Sequence, residues 1–165
     1  MAKRTAGGTP ATAALTRAGV AFTLHPYEHH ADQTAFGDEA ARALGIDGRR
    51  IFKTLVAEVT GTRGTELVVA VVPVAHHLDL KALAAAVGGK KAAMADPAVA
   101  ERSSGYVRGG ISPLGQRTSL NTVVDESARS FDTVHVSAGK RGLQVELSPE
   151  DLITATSAVV APIAV

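Results

Sequence analysis

Residues 50–72, RIFKTLVAEVTGTRGTELVVAVV, decide the fold. Two runs rich in β-branched and apolar residues flank a turn at 60–65 that contains two glycines, so the stretch predicts a β-hairpin. The second strand, 66–72, is apolar on both faces, which is typical of a central strand covered by helices. We therefore expect a sheet built around this hairpin.

Lys53 is the most informative residue of the hairpin. Alternation along the first strand places it on the same face as four apolar side chains, Ile51, Leu55, Ala57 and Val59. A lysine in an apolar interior must find a counter-charge, lose its proton or line a polar cavity, because an unpaired buried charge is costly. A lysine at a sheet edge can instead extend its ammonium group into water. The spacing alone leaves both possibilities open.

Further helices and strands are predicted on both sides of the hairpin. The predicted helices begin at Thr9, Asp38, Asp79, Asp96 and Ser148. The other predicted strands are 21–24, 122–125, 133–137 and 143–147. Because strands outnumber helices without strict alternation, we predict an α+β fold with a mixed, strongly curved sheet.

Length and composition fit a single domain. We expect a disordered tail at 1–8 and a folded domain at 9–165. The 17 basic and 16 acidic residues give a formal net charge of +1, so no overall positive field favours nucleic acid. Only six residues are phenylalanine or tyrosine, which argues against an extended base-stacking surface. Any RNA contact is therefore expected to be local.

Cysteine is absent from the chain. This absence removes disulfides, thiolate metal sites and a thiol nucleophile belonging to the protein, and it fits a reducing cytoplasm. No segment is long enough to span a bilayer, and the first residues lack the apolar stretch of a signal peptide. We expect a cytoplasmic protein without a membrane partner.

Histidines raise the question of a metal site. His25, His29, His30 and Asp32 supply ligand types, but Pro26 interrupts any helix that would place the first two imidazoles on one face. A solvated polar loop is the competing interpretation. We predict no metal ion and no cofactor.

The segment at 105–116, GYVRGGISPLGQ, reads as a shaped loop. Its glycines allow backbone N–H groups to approach a ligand closely and to form an anion-binding concavity. A structural turn at a corner of the sheet is equally compatible with them.

The hairpin predicted at 133–147 has one polar face. Ser137 and Gln144 lie on that face, and the turn presents Lys140 and Arg141. Exposed charge is the ordinary state of lysine and arginine, so a solvated turn is one interpretation and a phosphate contact is the other.

Six segments together resemble the YbaK/EbsC group of proteins. They are FKTL at 52–55, PVA at 73–75, LDLK at 78–81, MADP at 94–97, the glycine-rich loop and SAGKRGL at 137–143. Members of this group are freestanding trans-editing factors similar to the editing domain of bacterial prolyl-tRNA synthetase. The YbaK branch clears cysteine mischarged onto proline tRNA. The resemblance implies a compact, barrel-like mixed sheet flanked by helices.

The resemblance also implies site residues. Lys53 corresponds to an essential lysine with Thr54 beside it, Tyr27 and Phe36 match aromatic residues of a pocket, and Ser137 matches a pocket serine. Gly109 matches a glycine whose backbone contacts the substrate, and we expect N–H groups of Gly109 and Gly110 to stabilise negative charge on the carbonyl. Gln144 is a departure, because some members carry aspartate there and glutamine supplies no negative charge.

The expected activity is deacylation of Cys-tRNA(Pro), with Lys140 and Arg141 contacting tRNA. In the family, the thiol of the substrate attacks its own carbonyl and releases a thiolactone. Deacylation of alanyl- or seryl-tRNA by water is an alternative, and a non-catalytic module that binds RNA or a synthetase is another. The resemblance suggests prolyl-tRNA synthetase as the partner that presents the tRNA.

Overall fold

A computed structural model describes residues 8–165. The tail predicted at 1–8 lies outside this range except for Gly8. The α-helices of the described part are α1 (Pro10–Arg17), α2 (Phe36–Leu44), α3 (Leu80–Ala86), α4 (Pro97–Ser104) and α5 (Pro149–Thr156). Its strands are β1 (Thr23–Pro26), β2 (Phe52–Gly61), β3 (Gly64–Pro73), β4 (Lys91–Met94), β5 (Asn121–Asp125), β6 (Val134–Lys140), β7 (Leu143–Leu147) and β8 (Val159–Ala161), and a 3₁₀ helix covers Glu126–Ser130.

The strands form two sheets. The larger has the order β4-β2-β3-β5-β8, and the smaller has the order β1-β7-β6. The β2–β3 hairpin is antiparallel, while β5 pairs in parallel with β3 and β8, so the α+β fold with a mixed sheet is confirmed. In the described residues a single bridge, between Ile51 and His135, links the two sheets.

Strand β3 is central, as predicted, but its two faces are covered differently. Val68, Ala70 and Val72 pack in a cluster with Leu83 of α3. Val69 and Val71 pack on the opposite side with the inner face of the smaller sheet and with α1 and α5. The predicted cover by helices is therefore found only in part, because a second sheet supplies much of one layer.

The expectation of a barrel-like sheet was also wrong. The sheets do not close, because β4 and β8 each have one strand neighbour within residues 8–165. The first strand lies at Thr23–Pro26 rather than at 21–24, because its register is set by the distant partner β7. Four helix starts were predicted correctly: Thr9, Asp79, Asp96 and Ser148 each accept a hydrogen bond from a backbone N–H group of the helix that follows. The helix predicted to begin at Asp38 begins at Phe36 instead, without a side-chain cap.

Candidate active site

A cleft opens where the two sheets diverge along β2. One edge of β2 pairs with β3 throughout, whereas the other edge meets β6 at Ile51 and β4 only from Ala57 onward. Between these contacts, residues 52–56 line a cleft of about 390 Å³. This volume lies within the range of small-molecule sites.

The walls of the cleft come from four other parts of the chain. These are the start of α2, the junction of β4 and α4, the glycine-rich loop and the polar face of the smaller sheet. The apolar lining residues include Ile51, Leu55, Val56, Val74, Met94 and Ile111. A mainly apolar lining with a few polar groups is typical of a ligand site.

Lys53 lies in this cleft, partly buried. Burial lowers the pKa of its ammonium group, and the nearby Asp38 carboxylate partly opposes that effect. Within residues 8–165 Lys53 forms no ion pair. An anionic group of a ligand could therefore neutralise this ammonium group.

Two other polar side chains of the cleft lack partners. The Thr54 Oγ1 and Gln144 Oε1 atoms are buried and have no hydrogen-bond partner in the described part of the chain. Gln144 is only 7% exposed. Because buried polar atoms are normally hydrogen-bonded, unpaired atoms on two side chains of one cleft favour a site for a polar ligand.

The glycine-rich loop forms one wall of the cleft. The buried Tyr106 hydroxyl donates a 2.6 Å hydrogen bond to Leu114 O, and burial raises its pKa to about 12. Gly109 has a φ of +87° and lies so close to Phe36 that an added Cβ would be 2.6 Å from Phe36 Cδ1. The close approach and the positive φ both require glycine at this position.

The two adjacent glycines differ in what their N–H groups can do. The N–H of Gly110 already donates to Val107 O at 2.8 Å. The expectation that both N–H groups stabilise a carbonyl was therefore wrong for Gly110. The N–H of Gly109 has no acceptor among the described residues, and Gly109 is one of the residues that line the cleft.

The turn between β6 and β7 packs on this loop. Arg141 Cζ lies 4.9 Å from the centre of the Phe36 ring, and Arg141 Nε donates to Arg108 O at 2.7 Å. Lys140 is exposed beside it. Arg141 therefore connects Phe36 with the glycine-rich loop, whereas the side chain of Lys140 faces solvent.

Residues 27–35 form a loop that Glu39 holds in place. His29 Nδ1 lies 2.7 Å from Glu39 Oε1, and the N–H of His30 donates to Glu39 Oε2 at 2.8 Å. Burial alone would raise the pKa of Glu39, but these bonds hold it below its ordinary value. His29 and His30 thus bind a buried carboxylate beside Phe36.

The sequence was also compared with known protein families and proteins. The model of the aminoacyl-tRNA editing domain matches residues 30–155. A relative from Enterococcus faecalis, named as the Cys-tRNA(Pro)/Cys-tRNA(Cys) deacylase EbsC, is 45% identical over 120 residues, which cover 73% of this chain and 71% of that protein. The chain belongs to the aminoacyl-tRNA editing domain family.

Two more distant similarities agree with this membership. The multifunctional Ser/Thr-tRNA deacylase ProXp-y of Escherichia coli K12 is 29% identical over 142 residues, which cover 86% of this chain and 83% of that protein. A crystal structure described as a trans-editing enzyme for prolyl-tRNA synthetase superposes with a TM-score of 0.78 at 27% identity, covering 94% of this chain and 95% of that one.

This editing domain brings most of the predicted site residues together. The cleft is lined by six of them, Phe36, Lys53, Thr54, Gly109, Ser137 and Gln144. Tyr27 and Gly110 are not in the lining. The N–H of Tyr27 donates to Gly142 O, and burial raises the pKa of its hydroxyl above the ordinary value. Lys140 and Arg141 lie at the turn that packs on Gly110.

Other lining residues were not predicted. Asp38 and Arg108 add one charge of each sign to the cleft of the editing domain, and the apolar wall from Val74 and Met94 was also missed. The sequence could have indicated Asp38 as a lining residue, since it lies two residues after the predicted pocket residue Phe36, in the first turn of α2. No helix in residues 8–165 has the length and apolar character needed to cross a bilayer.

Proposed function

We propose that this chain is a cytoplasmic deacylase of Cys-tRNA(Pro) that acts in trans. The observation that carries the proposal is the cleft in which Lys53 lacks an ion pair and Thr54 and Gln144 have buried atoms without partners. Family membership makes aminoacyl-tRNA the class of substrate. The name of the Enterococcus faecalis relative supports cysteine as the amino acid and proline tRNA as the carrier.

Several polar groups of the cleft then have roles. The Lys53 ammonium binds the 3′-terminal phosphate or the ester region, and the Gly109 N–H donates to the carbonyl oxygen as negative charge develops. Gln144 Oε1 accepts a hydrogen bond from a ribose hydroxyl or from the α-amine. Ser137 and Thr54 line the part of the cleft that holds the amino acid, and Phe36 shapes it, whereas Tyr27 and Gly110 lie outside the lining.

The nucleophile in this scheme is the substrate thiol. The lining contains no histidine among the described residues, so neither Ser137 nor Thr54 has the base that usually activates a hydroxyl. The Ser137 hydroxyl instead accepts a hydrogen bond from Gly139 N–H at 3.2 Å. Attack of sulfur on the carbonyl carbon breaks the ester C–O bond, the ribose oxygen leaves with the thiol proton, and a thiolactone is released.

Substrate presentation would involve the turn at Lys140 and Arg141. Both cations lie beside the glycine-rich loop, where the acceptor end of a tRNA entering the cleft would pass. A net charge of +1 gives weak general attraction to RNA, which favours delivery of the tRNA by prolyl-tRNA synthetase.

The proposal is tested by deacylation of proline tRNA charged with cysteine, alanine or serine. We expect the cysteinyl ester to turn over fastest, with the spontaneous hydrolysis of each ester subtracted. Faster turnover of alanyl- or seryl-tRNA would assign a different amino acid and a water nucleophile. Binding without turnover of any ester would show a non-catalytic module.

A further inference from the structure

A second group of polar side chains lies on the same sheet face as Ser137 and Gln144 but outside the cleft lining. His25, His135 and Glu146 come from β1, β6 and β7. Each offers one nitrogen or oxygen atom, and these atoms all lie within 4.8 Å of one another. Neither family membership nor the proposed reaction assigns a role to this group.

Strand pairing explains why the three side chains meet. His135 lies directly opposite Glu146, and His25 lies opposite Gln144, one pair farther along the same face. Side chains of opposed residues start about 5 Å apart at Cβ. The register of β1, β7 and β6 therefore brings two imidazoles and one carboxylate together without any change of the backbone.

His135 is the member of the group that lacks an explanation. It is only 3% exposed, and its Nδ1 atom has no hydrogen-bond partner within residues 8–165. Its Nε2 atom lies 4.0 Å from Glu146 Oε2, too far for a hydrogen bond. The Nε2 nitrogen faces Glu146 without forming a hydrogen bond, and a cation held between the two side chains would give it a partner.

The other two members are already oriented. His25 Nε2 lies 2.8 Å from Glu146 Oε1, and the Thr133 hydroxyl donates to Glu146 Oε2 at 2.5 Å. Such hydrogen bonds from a neighbouring residue fix the direction of a ligating carboxylate.

We propose that His25, His135 and Glu146 bind a divalent transition-metal ion of the zinc type, with water as the fourth ligand. Two imidazoles and one carboxylate are a usual donor set for zinc, with bonds of about 2.0–2.2 Å. The ligand atoms must move closer by side-chain rotation to reach such bonds. His25 and Glu146 are partly exposed, which gives the ion a path from solvent.

The positive charge of Arg50 opposes the binding of a cation to this group. Its Nη2 atom lies 3.8 Å from Glu146 Oε2, so its charge lowers the affinity for a cation. However, the guanidinium group is hydrogen-bonded to Thr133, with Nη2 donating to Thr133 Oγ1 at 2.8 Å and to Thr133 O at 3.1 Å. The carboxylate of Glu146 is therefore not neutralised by a direct hydrogen bond from arginine.

The bound ion would brace the wall of the cleft rather than take part in the reaction. It would connect β1 to β6 and β7 next to the Ser137–Gln144 pair, and Tyr27 follows directly after β1. The three ligands are absent from the lining of the cleft. Its effect should therefore appear as stability of the folded chain.

The test uses the full chain after treatment with a chelator. Calorimetric titration with Zn²⁺ should show one saturable equivalent, and Co²⁺ should give the visible absorption of a tetrahedral site. Zn²⁺ should also raise the unfolding temperature. His135→Phe, which fills the buried space, and Glu146→Gln should remove all three effects. If either variant fails to fold, His25→Gln, at a partly exposed position, takes its place.

The matched control changes the two exposed histidines, His76→Gln and His77→Gln, which should leave the Zn²⁺ equivalent intact. The proposal is overturned if the wild-type chain shows no saturable binding. It is equally overturned if folded His135→Phe and Glu146→Gln variants keep the equivalent, or if the control variant loses it.

Discussion

Replacing Gly109 by alanine tests whether the glycine-rich loop and Phe36 form one fixed wall of the cleft. A left-handed backbone conformation costs alanine about 1–2 kcal/mol. The added Cβ would also lie 2.6–2.8 Å from three atoms of the Phe36 ring, and overpacking of this kind costs about 1–3 kcal/mol. The expected loss of stability is about 2–5 kcal/mol if the ring stays in place.

Gly45→Ala is the matched control. Gly45 has a φ of +65°, and an added Cβ would meet nothing within 4 Å. That variant should lose only the backbone cost of about 1–2 kcal/mol and keep wild-type deacylation. The two variants therefore share the backbone strain and differ in the contact with Phe36.

Denaturant unfolding and single-turnover deacylation of Cys-tRNA(Pro) together test whether Phe36 and the loop form a fixed wall. If Phe36 moves aside, the extra instability of Gly109→Ala shrinks, but the wall shifts by about 1 Å and activity should fall about 100-fold. The reasoning is refuted if Gly109→Ala unfolds like Gly45→Ala and also deacylates like the wild type.

Three other predictions concern the charged groups and the nucleophile. The hydrogen bonds that His29 and His30 make to Glu39 outweigh the opposing effect of burial and hold the pKa of Glu39 below 4.5. The ionised Glu39 therefore stabilises the fold above that pH, and this stabilisation is lost as the pH falls through the folded-state pKa. Glu39→Gln should remove part of the acid dependence of unfolding, whereas the exposed Glu58→Gln should not. Lys140→Ala should reduce the slope of log affinity for tRNA against log salt by about one unit, without changing the deacylation rate at saturating tRNA. Arg141→Ala should reduce the slope and also lower the deacylation rate, because the Arg141 side chain contacts Phe36 and Arg108. An unchanged slope in the double variant would exclude a phosphate contact. S-methylcysteinyl-tRNA should not turn over if the substrate thiol is the nucleophile, and equal rates for the two esters would point to water.

Local signals in the sequence predicted the parts of the fold that local forces determine. The caps at Thr9 and Ser148 and the stop at Gly45 depend on backbone groups within a few residues, so their residue types were sufficient. The β2–β3 hairpin was predicted for the same reason. Strands β4 and β8 were missed because they are short and are defined by distant partners.

The candidate site was predicted only in part. Lys53 could be singled out because a charge at an apolar position is visible in a single strand, and the residue lines the cleft. The cleft itself could not be predicted, because it lies where one edge of β2 has no neighbouring strand. This gap runs from the bridge between Ile51 and His135 to the pairing of Ala57 with Met94. The group of His25, His135 and Glu146 was missed for the same reason, since three separate strands bring it together.

The proposed role of Lys53 is to bind the 3′-terminal phosphate or the ester region of an aminoacyl-tRNA in this cleft. The most direct measurement is single-turnover deacylation of Cys-tRNA(Pro) by Lys53→Ala, with Lys53→Arg beside it and with unfolding measured for both. We expect Lys53→Ala to fold and to lose at least about 100-fold in rate, because a charge at the reacting group is removed. Lys53→Arg should fail as well, because the guanidinium group is larger and differently shaped. A folded Lys53→Ala variant that deacylates at nearly the wild-type rate would contradict the account.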